Sequence, residues 1–340
     1  MVEYPGCLKG TVPRQQEDAD TAQQSALRME ISAFDKLLLS RVLPPVLLLE
    51  CVLGMLGNGG ALWIFCFYVK PWKSSTVFLF NLALADFLLI VILPFRAAYY
   101  LRELDWAHGD GFCRISLFML AMNRGGSVFF LTAVAVDRYL RVVHPHHPAN
   151  SAPVSRSVCV AAAVWLLTIS LAARLLAEPG QAQNSTRCES FAAAGSGWYH
   201  SVYLLEFALP LAVLLFCSAR VIAELRQRGL GKNARIRRAL WCLAAVMATF
   251  VVCFIPSNVT LLLIWVQTLR GVEDRDRLGS LGTVFYITVS LTYLNSVLDP
   301  LVYYFSSPAF KARLRSVARA RPWRKEPAVT DGDGTRDSKI

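Results

Sequence analysis

Charge is what this 340-residue chain has least of. Asp, Glu, Lys and Arg make up 17% of it, against 55% hydrophobic residues. A soluble domain averages about 25% charged and about 45–50% apolar. The shortage is concentrated in seven blocks, near residues 43–69, 76–101, 112–136, 157–177, 198–223, 239–267 and 280–305. Each is at least as long as the roughly 20 apolar residues that a helix needs to cross a bilayer. Strand-type alternation is missing from them, which excludes a membrane barrel. An inverted repeat and a pair of broken helices are missing too, which weighs against a transporter. Residues 1–40 lack the basic start, apolar run and small-residue cleavage site of a signal peptide. The first span is therefore expected to serve as its own insertion signal. These absences leave an all-α membrane protein: a seven-helix bundle over 43–305, an N-terminal segment 1–42, a short amphipathic helix over 306–320 and a polar tail over 321–340.

The formal net charge is +11. With the N-terminus outside, the inner loops and tail are strongly net basic and the outer segments net acidic, as the positive-inside rule requires. The charge is thus an orientation signal and implies no nucleic-acid partner; the inner basic surface can also meet anionic lipid. Three of the nine cysteines, Cys7, Cys113 and Cys188, fall outside, where disulfides persist. Cys113 opens the third span and Cys188 follows the fourth, so these two make a candidate staple and Cys7 is left over. "NST" at Asn184 is a glycosylation acceptor in the outer loop. "NVT" at Asn258 matches as well, but inside a span, and is discounted. After the last span, "SSPAFKARLRSVARARPWRK" sets basic residues on a helical period around Phe310, Leu314 and Val317, the pattern of a helix lying along the inner interface. The tail has no Cys to palmitoylate.

Ionisable groups inside a bilayer are costly and usually face the bundle interior. Asn58 in "LGNGGALW", Asp86 in "NLALADFLL", Asp137-Arg138-Tyr139 in "AVDRYLRVVHPHH", Trp165, Pro210, Pro256 in "CFIPSN" and Asn295 with Asp299-Pro300 and Tyr303 in "LNSVLDPLVYYF" follow one another in order through the spans. Together with Cys113 and Cys188 they make residues 43–320 resemble a rhodopsin-like (class A) G-protein-coupled receptor. Two departures stand out: Asp299-Pro300 where many members carry Asn-Pro, and Phe254 where many carry Trp. The resemblance implies a multi-pass plasma-membrane receptor, a heterotrimeric G protein and arrestin as partners, and no enzymatic activity. It also implies a G-protein switch at Asp137, Arg138, Tyr139 and Tyr303. An Arg beside a carboxylate can form a charge-assisted pair whose opening frees it for a partner; the alternative is a static anchor. No resident cofactor is expected. An allosteric sodium ion is implied at Asp86, Asn123, Ser127, Asn295 and Asp299; the alternative is a protonated, hydrogen-bonded core.

The strings "LFMLAMNRGGSVFFLTAVAVDRYLRVVHPHH", "LPFRAAYYL", "YLLEFALPL" and "LTYLNSVLDPLVYYFSSPAF" resemble a narrower group, the hydroxycarboxylic acid, oxoeicosanoid and 12-HETE receptors. Their ligands are carboxylates and they generally act through the inhibitory G protein. The resemblance implies Arg124 as the carboxylate clamp, helped by Arg96, Ser190, Phe191 and Tyr293. Helix geometry supports Arg124 independently. It lies about 16 Å below Cys113 and about 21 Å above Arg138 at 1.5 Å per residue. Cys113, Arg124, Ser127 and Arg138 fall within about 80° of one face. Glu206, four residues before Pro210, lies at comparable depth and could pair with Arg124, either as a purely structural partner or as a stand-in until ligand arrives.

Leu261 stands where the small hydroxy-acid receptors carry a further Arg; the loss of a polar contact and the gain of apolar wall there favour an oxidised fatty acid (12-HETE or 5-oxo-ETE) over a small acid such as lactate, 3-hydroxybutyrate or a nicotinate-like molecule. A monocarboxylate transporter is the distant alternative. A retinal-binding pump is excluded because residues 279–305 contain no Lys. An amine ligand is disfavoured because Leu120, not Asp, occupies the ammonium-binding position. His144, His146 and His147 form no enzymatic constellation and read as loop filling.

Overall fold

The computed structural model describes residues 37–177, 187–188, 197–227, 234–270 and 275–319, and among them no strand occurs. Seven long helices follow in order: α1 (Leu38–Phe67), α2 (Ser74–Leu101), α3 (Gly109–Val143), α4 (Val154–Ala177), α5 (Gly197–Gln227), α6 (Ile236–Leu269) and α7 (Arg275–Tyr293 continuing as Asn295–Ser306). A shorter α8 (Pro308–Arg319) follows after Ser307, whose extended backbone breaks the helix. Several helices outrun the apolar blocks that mark them. α3, for example, continues to Val143, because helical hydrogen bonding does not stop where hydrophobicity does.

Residues on the outside of the bundle are large and apolar: Leu56, Phe67, Leu166 and Leu209 are each more than 60% exposed. Polar side chains are inside. Asn58, Asp86, Ser127, Asn295 and Asp299 are fully buried. This inversion of the soluble pattern is what a hydrocarbon solvent selects, since an unsatisfied polar group in lipid costs several kcal/mol. α3 is the central post and packs against α2, α4, α5 and the inner half of α6.

Prolines inside the spans free carbonyls, and side chains from neighbouring helices take them up. Pro300 cannot donate to the Ser296 carbonyl, and Asn58 Nδ2 of α1 does so at 2.6 Å. Pro94 likewise frees the Ile90 carbonyl, which lies 3.6 Å from Cys51 Sγ of α1. Before Pro256, α6 loosens into a π-helical turn over Phe250–Phe254. α1 approaches α7 closely because Gly57 has no side chain: a Cβ there would lie 2.7 Å from Pro300 Cγ, part of a ring that cannot rotate aside. Across the bundle, Trp165 Nε1 of α4 donates to Asn81 Oδ1 of α2 at 2.8 Å.

Gly57→Ala should therefore lower the thermal unfolding midpoint of the solubilised protein, by overpacking worth about 1–3 kcal/mol. Gly59→Ala, whose Cβ would meet nothing within 4 Å, should not lower it.

Candidate functional site

The end of the bundle that carries the Cys113–Cys188 disulfide (Cα–Cα 5.7 Å) is termed the outer end, following the charge asymmetry of the sequence. Cys113 lies in the first turns of α3, so the bridge ties Cys188, which follows α4 in the chain, to that end of α3. Beneath it is a cavity of about 960 Å³, open mouth included. Its wall is largely apolar, with Leu117 and Leu120 from α3, Leu175 from α4 and Val289 from α7. Three charged groups interrupt it: Arg96, Arg124 and Glu206.

Arg124 is buried near the middle of α3 and three groups hold it. Its Nη1 donates to Glu206 Oε2 of α5 at 2.6 Å. Its Nη2 reaches the Tyr203 carbonyl at 3.3 Å and Asn258 Oδ1 of α6 at 3.2 Å. The guanidinium also lies over the Tyr203 ring, 3.4 Å from its centroid. Arg124 thus ties α3 to α5 and α6 at one point. Asn258 extends the tie, since its Nδ2 donates to the Phe254 carbonyl at the π-helical turn of α6 at 2.7 Å.

Arg96 of α2 is buried as deeply, yet among the described residues no carboxylate pairs with it. Its Nη1 donates to the Cys188 carbonyl at 3.1 Å and its Nη2 to Tyr100 Oη at 3.3 Å. The rings of Tyr99 and Tyr100 flank it, with centroids 4.8 and 5.4 Å away. The disulfide thereby fixes the carbonyl that holds one of the cavity's cations. Tyr293 lines the same cavity. Leu261 is not on its surface. It is buried in a cluster with Tyr203 and Phe285, which do face the cavity, so it backs the wall that the sequence reading had it form. Ser190, Phe191 and Asn184 lie outside the described residues, as does Cys7.

Below the cavity, α2, α3 and α7 enclose a polar cluster. Asp86 Oδ1 accepts from Asn123 Nδ2 (3.1 Å) and Ser127 Oγ (3.4 Å). Tyr303 Oη stands 3.1 Å from Asp86 Oδ2 and 2.8 Å from Asn58 Oδ1, so its one proton serves both. Asp299 lies against Asp86, and neither has a salt-bridge partner among the described residues. Among the described residues, the buried Asp299 carboxyl meets no side chain but the Asp86 carboxyl, and the Asn295 amide neither donates nor accepts. Orphaned oxygens on adjoining carboxyl groups suit a small hard cation in their chemistry.

At the inner end, Asp137 holds two arginines: Arg138 Nη2 at 2.5 Å and Arg141 Nε at 2.9 and 3.0 Å. Tyr139 Oη lies 3.0 Å from His144 Nε2, apart from this pair. Tyr303, grouped with the inner switch from sequence, in fact reaches the Asp86 cluster, because α7 turns it toward α1 and α2.

Sequence reasoning missed Asn258, Tyr203 and Arg141. Asn258 had a signal. It is an amide two residues after Pro256 inside an apolar span, and such a group needs an interior partner.

The 7 transmembrane receptor (rhodopsin family) profile matches residues 57–303. Hydroxycarboxylic acid receptor 2 of Homo sapiens is 51% identical over 274 residues, 79% of this chain and 76% of that protein. Oxoeicosanoid receptor 1 of Homo sapiens is 41% identical over 308 residues, 89% and 78% of the two chains. The 12-(S)-hydroxy-5,8,10,14-eicosatetraenoic acid receptor of Mus musculus is 39% identical over 301 residues, 86% and 93%. The profile match runs from within α1 to Tyr303 of α7 and so takes in the central α3, Cys113 with Cys188 and the buried polar residues. The chain is therefore a multi-pass plasma-membrane receptor of the rhodopsin-like (class A) family of G-protein-coupled receptors, in the group that contains the hydroxycarboxylic acid, oxoeicosanoid and 12-HETE receptors.

Proposed function

We propose that the chain is a receptor for an organic carboxylate bound in the outer cavity, signalling through the inhibitory G protein to lower cyclic AMP. One observation carries the ligand class: among the described residues, two buried guanidinium groups and one carboxylate line the same cavity. Buried charge is normally compensated, and an anionic ligand supplies the missing charge. The planar fork of arginine suits a carboxylate better than a point cation does. Arg124 is the clamp and Arg96 the second cation, with Ser190, Phe191 and Tyr293 helping to hold or cover the ligand. Membership of a receptor family leaves the transporter alternative without support.

An oxidised fatty acid is the reading favoured for the ligand. Apolar side chains make up most of the wall, which suits a hydrocarbon tail. A small hydroxycarboxylic acid is the second reading, favoured by the higher identity to relatives named for such ligands, 51% against 39–41%.

The signal route follows from the ties of Arg124. A ligand carboxylate that takes a share of this guanidinium alters its hold on Glu206 of α5 and Asn258 of α6. Asn258 is bonded to the π-helical turn before Pro256, where α6 is easiest to bend. Ligand shifts the bundle only by its differential affinity for the two arrangements. At the inner end, opening the Asp137–Arg138 pair would free Arg138 for the G protein or arrestin. Asp86, Asn123, Ser127, Asn295 and Asp299 would hold a sodium ion, which supplies positive charge to the two adjoining carboxyl groups.

Arg124→Ala should abolish the response to carboxylates while surface expression stays intact; an undiminished response sinks the clamp. A cyclic AMP assay comparing short hydroxy acids with hydroxy- and oxo-eicosanoids decides the tail. Pertussis toxin should erase the active response; a toxin-resistant response would assign another G protein. Asp137→Asn should raise ligand-independent signalling, whereas unchanged basal signalling would make the inner pair a static anchor.

A further inference from the structure

Arg124 is followed on α3 by a glycine, although glycine in a helix interior is less favourable than alanine. The α3 backbone is ordinary helix at Gly125, so no left-handed conformation calls for it. The reason lies in the space beside it. A Cβ at position 125 would stand 2.5 Å from Glu206 Oε1 and 2.9 Å from Thr168 Cγ2. Glu206 Oε1 ends a flexible side chain and can be displaced, whereas Thr168 Cγ2 sits on a β-branched side chain whose Oγ1 donates to the Val164 carbonyl at 2.8 Å. An added methyl group would therefore displace the carboxylate and also press α4 slightly away. Gly126 has a separate reason, the close approach of Ala85 on α2, and takes no part.

Glu206 occupies that space with one oxygen toward Gly125 and the other on Arg124 Nη1. Both acceptors of Arg124 Nη2 are protein oxygens, and Nε has no partner. A ligand carboxylate that takes the end-on edge, Nη1 with Nη2, must push Glu206 off Nη1 or share it. The side-on edge, Nε with Nη2, would leave Glu206 in place, and affinities unchanged in both single variants would be its mark. Arg96, by contrast, has no carboxylate to exchange among the described residues.

We propose that Glu206 is a built-in competitor for Arg124, and that the missing side chain of Gly125 is what lets it compete. Position 125 thereby sets the affinity of the receptor for carboxylate ligands. Any larger residue there would move Glu206 aside and expose more of Arg124 to ligand. This rests on the reading of the cavity as a carboxylate site.

The test uses the full chain in membranes, with Gly125→Ala, Glu206→Gln and the double variant. The probes are 3-hydroxybutyrate and 12-hydroxyeicosatetraenoate, each against its methyl ester, and the readout is ligand-stimulated nucleotide exchange on the G protein. Each single variant should lower the half-maximal concentration of the active acid about tenfold, an ordinary size for coupled groups. The double variant should gain nothing beyond Glu206→Gln alone, because both changes remove the same competitor. A Gly125→Ala receptor that reaches the surface with an unchanged or raised half-maximal concentration overturns the proposal, and so does a weakened response in Glu206→Gln.

A ligand-free arm separates this inference from the reading beneath it. In detergent, Gly125→Ala should cost less thermal stability in a Glu206→Ala background than in the native chain. Additive losses would show that the two residues do not contact, and would end the proposal even if acids act. If the losses are non-additive but the methyl esters act as well as the acids, the carboxylate reading is what fails.

Discussion

A guanidinium buried in the outer half of an apolar bundle has to be met by oxygen atoms brought from elsewhere in the chain. Arg124 meets this demand with Glu206 and the Tyr203 carbonyl of α5 and Asn258 of α6. The cost of burying a charge in a low-dielectric interior is several kcal/mol, so these contacts are obligatory wherever Arg124 is inside. Three helices therefore converge on one side chain. Whatever enters the cavity with a negative charge acts on the joint that holds them together.

The same rule shapes the rest of the interior. Hydrocarbon offers no hydrogen bonds, so two of the carbonyls released by prolines are met by side chains of a neighbouring helix. Asn58 takes the Ser296 carbonyl, and Cys51 lies against the Ile90 carbonyl. Such contacts make α1 a support for α2 and α7, with Gly57 removed from the way of Pro300. Polar atoms left without a protein donor gather where Asp86 and Asp299 meet, below the cavity. Paired polar groups join the helices at fixed points, and the regular ladder of α6 is interrupted at its π-helical turn. The Arg124–Asn258–Phe254 route joins one such point to that turn.

Much of the candidate site was legible before any coordinates. An Arg in an apolar run is conspicuous, and counting turns from Cys113 and Arg138 placed it inside and in the outer half. Glu206 was found by the same depth argument. Asn258 was dismissed because its sequon lies in a span, yet that position is what makes it a partner for Arg124. Tyr303 was grouped with the inner switch, although its hydroxyl reaches Asp86 and Asn58. Leu261 was expected to form wall and instead backs it. Each of these depends on which way a side chain leaves its helix, and periodicity gives that only to within a broad face.

The seven spans, their order and their interior-facing charges were determined by the sequence alone, because hydrophobic length and the expense of buried charge are local properties. Which charge is compensated was decided only by tertiary structure. Arg96 and Arg124 look equivalent as letters, each an arginine within a span. The fold gives Arg124 a carboxylate through the gap at Gly125, and gives Arg96 a carbonyl and two aromatic rings. Compensation is a matter of distance between helices, and that distance is set by packing, which no single helix encodes.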